Sequence, residues 1–109
     1  MTDYIEGILS NVKTYSVNGL ILTESRYNTF ENITRLDTYE SNIIITTILY
    51  DYDTYNTLYG ITEYTYNSDG TYAFRRIYNT LGNVTRLDTY KNNITMTTIT
   101  YDYDTYNAL

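Results

Sequence analysis

A chain of 109 residues suits one domain or one short repeat array. It carries 16 Tyr and 2 Phe, no Trp, Pro, Cys or His, a net charge of −6 and a pI near 4.3. That composition excludes disulfides, thiolate and imidazole metal sites and a histidine general base, opposes docking on nucleic-acid phosphate or anionic lipid, and leaves no apolar run near the roughly 20 residues a membrane helix needs.

Tyr, Thr and Ile pack well on a pleated surface, while Asn, Asp and Gly favour turns. The opening residues Met1-Thr2-Asp3-Tyr4 show neither the basic nor the apolar region of an export signal. Either no standard signal directs this chain or one has been removed. From there, Tyr followed by a polar turn recurs every 12 to 14 residues, at Tyr15, Tyr27, Tyr39, Tyr52, Tyr66, Tyr78, Tyr90 and Tyr103. The turn segments read SVNG, NTFEN, ESN, DTYN, NSDG, NTLGN, KNN and DTYN. Asn-Gly and Asp-Gly are strong hairpin signals, because a type I′ turn needs positive φ at both central residues. The runs between turns, such as Gly19–Tyr27, Ile33–Tyr39, Ile43–Tyr52, Thr71–Tyr78 and Ile94–Tyr103, have strand length. In Ile61–Tyr66 one face holds Ile61, Glu63 and Thr65, and the other Thr62, Tyr64 and Tyr66. The pattern predicts an all-β fold: an antiparallel hairpin sheet of about eight strands, curved or spiralling.

Residues 28–58 and 79–109 are identical at about two thirds of their positions, at an offset of 51. The same offset relates residues 14–19 to residues 65–70. The chain is therefore a single array over 1–109, divided into a first unit at 4–54 and a second at 55–105.

Three stretches carry a family likeness: Tyr50-Asp51-Tyr52-Asp53-Thr54-Tyr55-Asn56-Thr57-Leu58, Tyr66-Asn67-Ser68-Asp69-Gly70-Thr71, and Tyr78-Asn79-Thr80-Leu81-Gly82-Asn83-Val84-Thr85-Arg86-Leu87. With a Tyr-Asp pair, a turn and an apolar-Thr-Arg run, the sequence resembles the YD (RHS) repeat family. The resemblance implies a sheet that spirals toward a shell, as in bacterial toxin casings and the adhesive ectodomains of teneurins. Such shells need many hundreds of residues to close, so this length implies a curved strip.

Candidate sites are few, and no catalytic or cofactor-binding residue stands out. The carboxylate pairs Asp51/Asp53 and Asp102/Asp104 recur identically in both copies and read as turn caps rather than as hydrolytic acids. Asp51, Asp53 and Asn56, with Asp102, Asp104 and Asn107, offer hard oxygens to calcium, although no Glu completes a shell. Three N-x-Thr sequons make Asn32, Asn83 and Asn93 glycosylation candidates. Arg35 and Arg86 stand two residues before Asp37 and Asp88, the spacing of a same-face ion pair on a strand. The tyrosines either stack glycans or pack on one another across the sheet.

Repeat arrays ordinarily close their ends with atypical caps. Here there is no terminal Pro, and Lys occurs only at Lys13 and Lys91, so no cap is legible. The expectation is a non-enzymatic structural protein. It assembles edge to edge with copies of itself into a filament or tube, outside the cell or on its surface. The alternatives are a fragment of a larger YD-repeat shell or adhesin, and a glycan-binding repeat module.

Overall fold

Strand formers broken every dozen residues by polar turns give this chain only one option, the hairpin. The structure, a computed structural model, describes residues 2–5 and 7–103. Nine strands follow one another: β1 (Thr2–Ile5), β2 (Ile8–Tyr15), β3 (Ile21–Tyr27), β4 (Ile33–Glu40), β5 (Ile43–Tyr52), β6 (Leu58–Tyr66), β7 (Tyr72–Tyr78), β8 (Val84–Lys91) and β9 (Ile94–Thr100). Each pairs antiparallel with the next, so spatial order equals chain order. The all-β sheet read from the sequence is present, open rather than closed into a barrel. One short strand, β1, is added to the expected eight.

The turns divide into two kinds. Ser41-Asn42 and Asn92-Asn93 have positive φ at both residues (51° and 64°; 53° and 62°), the type I′ geometry. The Asn-Gly and Asp-Gly turns do not share it, contrary to expectation. In SVNG, NTFEN, DTYN, NSDG and NTLGN only the fourth residue is left-handed: Gly19, Glu31, Asn56, Gly70 and Gly82. Each of these donates its N–H back to the first residue's carbonyl at about 3 Å, and the first residue's own N–H donates to the fifth residue's carbonyl at 2.8–3.0 Å, which closes a five-residue turn. The first residue then acts as a cap. Asn28, Asp53 and Asn79 each accept two turn N–H groups on the side-chain oxygen.

A register shift accompanies every strand pair. Bulges at each hairpin strengthen the natural twist of the strands, so the sheet coils. The overall extents of 42 × 38 × 22 Å agree, since the shortest is about twice the roughly 10 Å that a flat layer occupies.

This sheet is one layer thick. Among the described residues no apolar side chain is buried; only Asp37, Thr47 and Asp88 are. The accessible surface of 7375 Å² exceeds the roughly 6,300 Å² of a compact protein of this mass. Cohesion comes from ladder hydrogen bonds and from half-buried side chains lying along the rows of each face.

Candidate assembly surface

The two faces differ in chemistry because the side-chain period is two. On one face, Thr14, Thr23, Thr38, Thr46, Thr65, Phe74, Thr89 and Thr97 are successive cross-strand partners. Hydroxyls meet within this row, Thr14 with Thr23 and Thr89 with Thr97. A neighbouring row runs Leu36, Ile48, Glu63, Arg76, Leu87 and Ile99.

On the opposite face the central row is Glu24, Asp37, Thr47, Tyr64, Arg75, Asp88 and Thr98. Its two aspartates are the most buried side chains described. Asp37 accepts from Arg35 Nε on both oxygens at 3.0 Å and from Thr47 Oγ1 at 2.7 Å. Tyr66 in turn donates to Thr47 Oγ1 at 3.1 Å. Asp88 accepts from Arg75 Nη2 and Nε at 2.6 and 2.9 Å, from Arg86 Nε at 3.1 Å and from Thr98 Oγ1 at 2.7 Å. Burial would raise the Asp88 carboxyl, but the Thr98, Arg75 and Arg86 hydrogen bonds outweigh it and hold the group below its usual value.

The two copies diverge at this row. Position 75 carries Arg opposite Asp88; the equivalent position 24 carries Glu opposite Asp37. Glu24 turns instead to Asn11 Nδ2 at 2.7 Å, and Asn11 Oδ1 is left buried without a partner.

The tyrosines are shared between the faces. Tyr72 stacks against Tyr64, Tyr66 and Tyr90 at centroid distances of 5.1, 5.6 and 5.5 Å, beside the aspartate row. Lys13, Tyr15, Ile21 and Tyr39 are the first copy's equivalents, so only the second copy has the full cluster. At one rim Tyr52 donates to the Ile33 carbonyl, and the equivalent Tyr103 to that of Val84, both at 2.6 Å. Burial raises the hydroxyl pKa of Tyr39, Tyr50, Tyr52 and Tyr78; Tyr78 also donates to Glu63 at 2.9 Å.

Among the described residues the sheet ends at β9, whose seven residues are all exposed. Ile94, Met96 and Ile99 stand 66%, 60% and 46% open. The equivalent β5 lies inside the sheet, and there Thr47, the counterpart of Thr98, is 2% open. Similar sequence thus meets two environments, and the difference is a neighbouring strand: β5 has β6, and β9 has none among the described residues.

No protein-family model matches the chain, and a comparison with curated proteins finds no match. Among solved structures, it is similar to one described as the crystal structure of a GtfA/B complex bound to UDP and GlcNAc. The TM-score is 0.56 at 11% identity, over 89% of this chain and 21% of that one. At that identity the likeness is one of fold. This chain corresponds to about a fifth of that protein's length.

The residues singled out from the sequence fall in separate places. Asp53 Oδ1 caps the turn amides of Tyr55 and Thr57 at 2.9 and 3.0 Å. Asn56 Oδ1 accepts from Asn28 Nδ2 at 3.1 Å. Asp51 is exposed on β5 opposite Gly60, and Asp102 is exposed past β9; Asp104 and Asn107 lie outside the described residues. No group of three or more acidic side chains able to hold a metal occurs among the described residues. Asn32 and Asn83 are half-buried closing residues of five-residue turns, and Thr34 and Thr85 of their sequons donate to the Arg26 and Ile77 carbonyls. Asn93 is exposed on a type I′ turn, and its side-chain oxygen accepts from the Tyr72 N–H at 2.9 Å. Arg35 and Arg86 form the anticipated same-face pairs. Sequence reasoning missed the burial of their aspartates. The available signal was an Asp in mid-strand, far from any turn, in both copies.

Proposed function

We propose that this protein is a structural module that joins copies of itself through the open margins of its sheet. The observation that carries the reading is β9, which among the described residues is a full-length edge strand exposing three large apolar side chains and an outer backbone ladder. Natural proteins blunt such margins with Pro, Lys or a covering element. An edge that does not close on itself extends into rings or filaments when it finds a matching edge on an identical molecule. The absence of a buried apolar core among the described residues favours the same view, because a single layer gains stability from each added strand. Negative-stain microscopy of the purified chain at increasing concentration tests it. Fibres or tubes support the reading, and isolated particles of monomer size at every concentration refute it.

A second reading has its own support. The exposed apolar side chains on both faces suit a strip cut from a larger YD-like wall, where neighbouring turns of the wall cover them.

A further inference from the structure

The internal duplication supplies a template for how two copies meet. The offset of 51 maps β9 onto β5 and β2 onto β6. Inside the chain, β5 and β6 pair Ile48 with Glu63, Leu49 with Thr62, Thr47 with Tyr64 and Thr46 with Thr65. Shifted by one unit, that register sets Ile99 of one molecule against Val12 of the next. It also sets Thr100 against Asn11, Thr98 against Lys13 and Thr97 against Thr14. Thr97 on Thr14 prolongs the threonine row. Thr98 on Lys13 brings a cation to the row that holds Asp88, in a chain of net charge −6.

The outer side of β2 is already taken. Strand β1 pairs with it, Thr2 opposite Val12 and Asp3 opposite Asn11, so it occupies the places that β5 fills on β6. The sequence carried no sign of this cover. It is a short one: among the described residues β1 makes four residue pairs, and β9 matches that number with residues 97–100 and reaches the seven that β5 makes with β6 only if residues 101–103, which lie outside the strand, join the ladder. A bulge already interrupts it between Asp3 and Tyr4.

We infer that β1 is a displaceable cap, and that β9 of a second copy of this chain takes its place on β2 in the β5·β6 register. The inference rests on the self-assembly reading and specifies its junction. An exchange of this kind is strand addition at a sheet edge, where main-chain hydrogen bonds supply the affinity. The cis strand has the advantage of proximity, so it prevails in dilute solution; the longer trans strand prevails as concentration rises.

Because the chain contains no cysteine, engineered thiols report without background. The first arm is the double variant Thr2→Cys/Val12→Cys, which locks β1 onto β2 when oxidised. The expected result is that the oxidised form stays monomeric by light scattering while the same sample, once reduced, assembles at least roughly tenfold faster, since the competent state is then accessible. The second arm mixes Val12→Cys protein with Ile99→Cys protein under mild oxidation; a cross-link between positions 12 and 99 is expected. If oxidised and reduced forms assemble alike, or wild-type chains assemble while no 12–99 cross-link forms, the cap and its register are overturned and assembly stands. If wild type and reduced variant both remain monomeric at high micromolar concentration, the assembly reading falls with them.

Discussion

Replacing Glu24 by arginine gives the first copy the arrangement that Arg75 makes in the second. In the native chain Glu24 and Asp37 are directly opposed, and like charges at that spacing destabilise a sheet. Asp88, in the same place one unit later, receives two hydrogen bonds from Arg75 at 2.6 and 2.9 Å. Exchanging a repulsive pair for an attractive one is worth about 1–2 kcal/mol, taking up to about 1 kcal/mol for each half of the change. Against it stand the Asn11–Glu24 hydrogen bond at 2.7 Å and the loose Arg26–Glu24 pair at 3.8 Å. The orphaned Asn11 Oδ1 would gain a donor within reach, which returns part of that loss. The net expectation for Glu24→Arg is about 1 kcal/mol of added stability, a rise in Tm of roughly 4 °C for a chain of this size. Thermal unfolding followed by circular dichroism measures it. The cycle with Asp37→Asn isolates the cause, since the gain should shrink once the carboxylate is neutralised. An unchanged or lowered Tm, or a gain that survives Asp37→Asn in full, refutes the reasoning.

Asp88→Ala leaves Arg75 and Arg86 facing a vacated buried position. Since both side chains keep some access to water, the cost is about 2 kcal/mol by denaturant unfolding rather than the full price of an isolated buried charge. The Asp88 carboxyl is held low in the fold, so its stabilisation is present above the unfolded-state value of about 3.9 and is lost as pH falls through the lower folded value; an acid titration of Tm should show a decline in that window that Asp88→Asn lessens. The tyrosines shift the other way. With Tyr39, Tyr50, Tyr52 and Tyr78 raised in the fold, their contribution is intact below about 10 and lost as pH climbs through the folded values, so alkaline unfolding should track tyrosinate absorbance. Tyr52→Phe removes the donor to the Ile33 carbonyl and should cost about 1 kcal/mol by the same unfolding assay. Gly70→Ala meets nothing within 4 Å but sits at φ +86°, so a loss of about 1 kcal/mol should appear with no change in the folded spectrum.

The meander was legible because tyrosines recur every 12 to 14 residues with Asn, Asp or Gly behind them, and the duplication fixed its period. The turn types were less so. Asn-Gly and Asp-Gly satisfy both a two-residue and a five-residue turn. The choice falls to how side chains hold the wider loop: Ser16 Oγ accepts the Leu20 N–H at 3.2 Å beside Asn18-Gly19, and Asp69 Oδ1 accepts the Thr71 N–H at 3.0 Å beside Gly70. The buried aspartates were hidden for another reason. A mid-strand Asp looks exposed until the register sets Arg35 and Thr47 around Asp37, or Arg75, Arg86 and Thr98 around Asp88, and registers depend on bulges that leave no mark in the composition. Strand β1 escaped notice because Thr2–Ile5 has no counterpart strand in the second unit: its offset partners, Asp53–Asn56, form a turn.

Amide hydrogen exchange along Ile94–Thr100, followed as protein concentration is raised, addresses the central claim at the margin where it is made. If copies add strands to this edge, the outward-facing amides of β9 should gain protection with concentration while those of interior β5 stay constant. If β9 exchanges at the same rate from dilute to concentrated solution, no second chain pairs with it and the account fails.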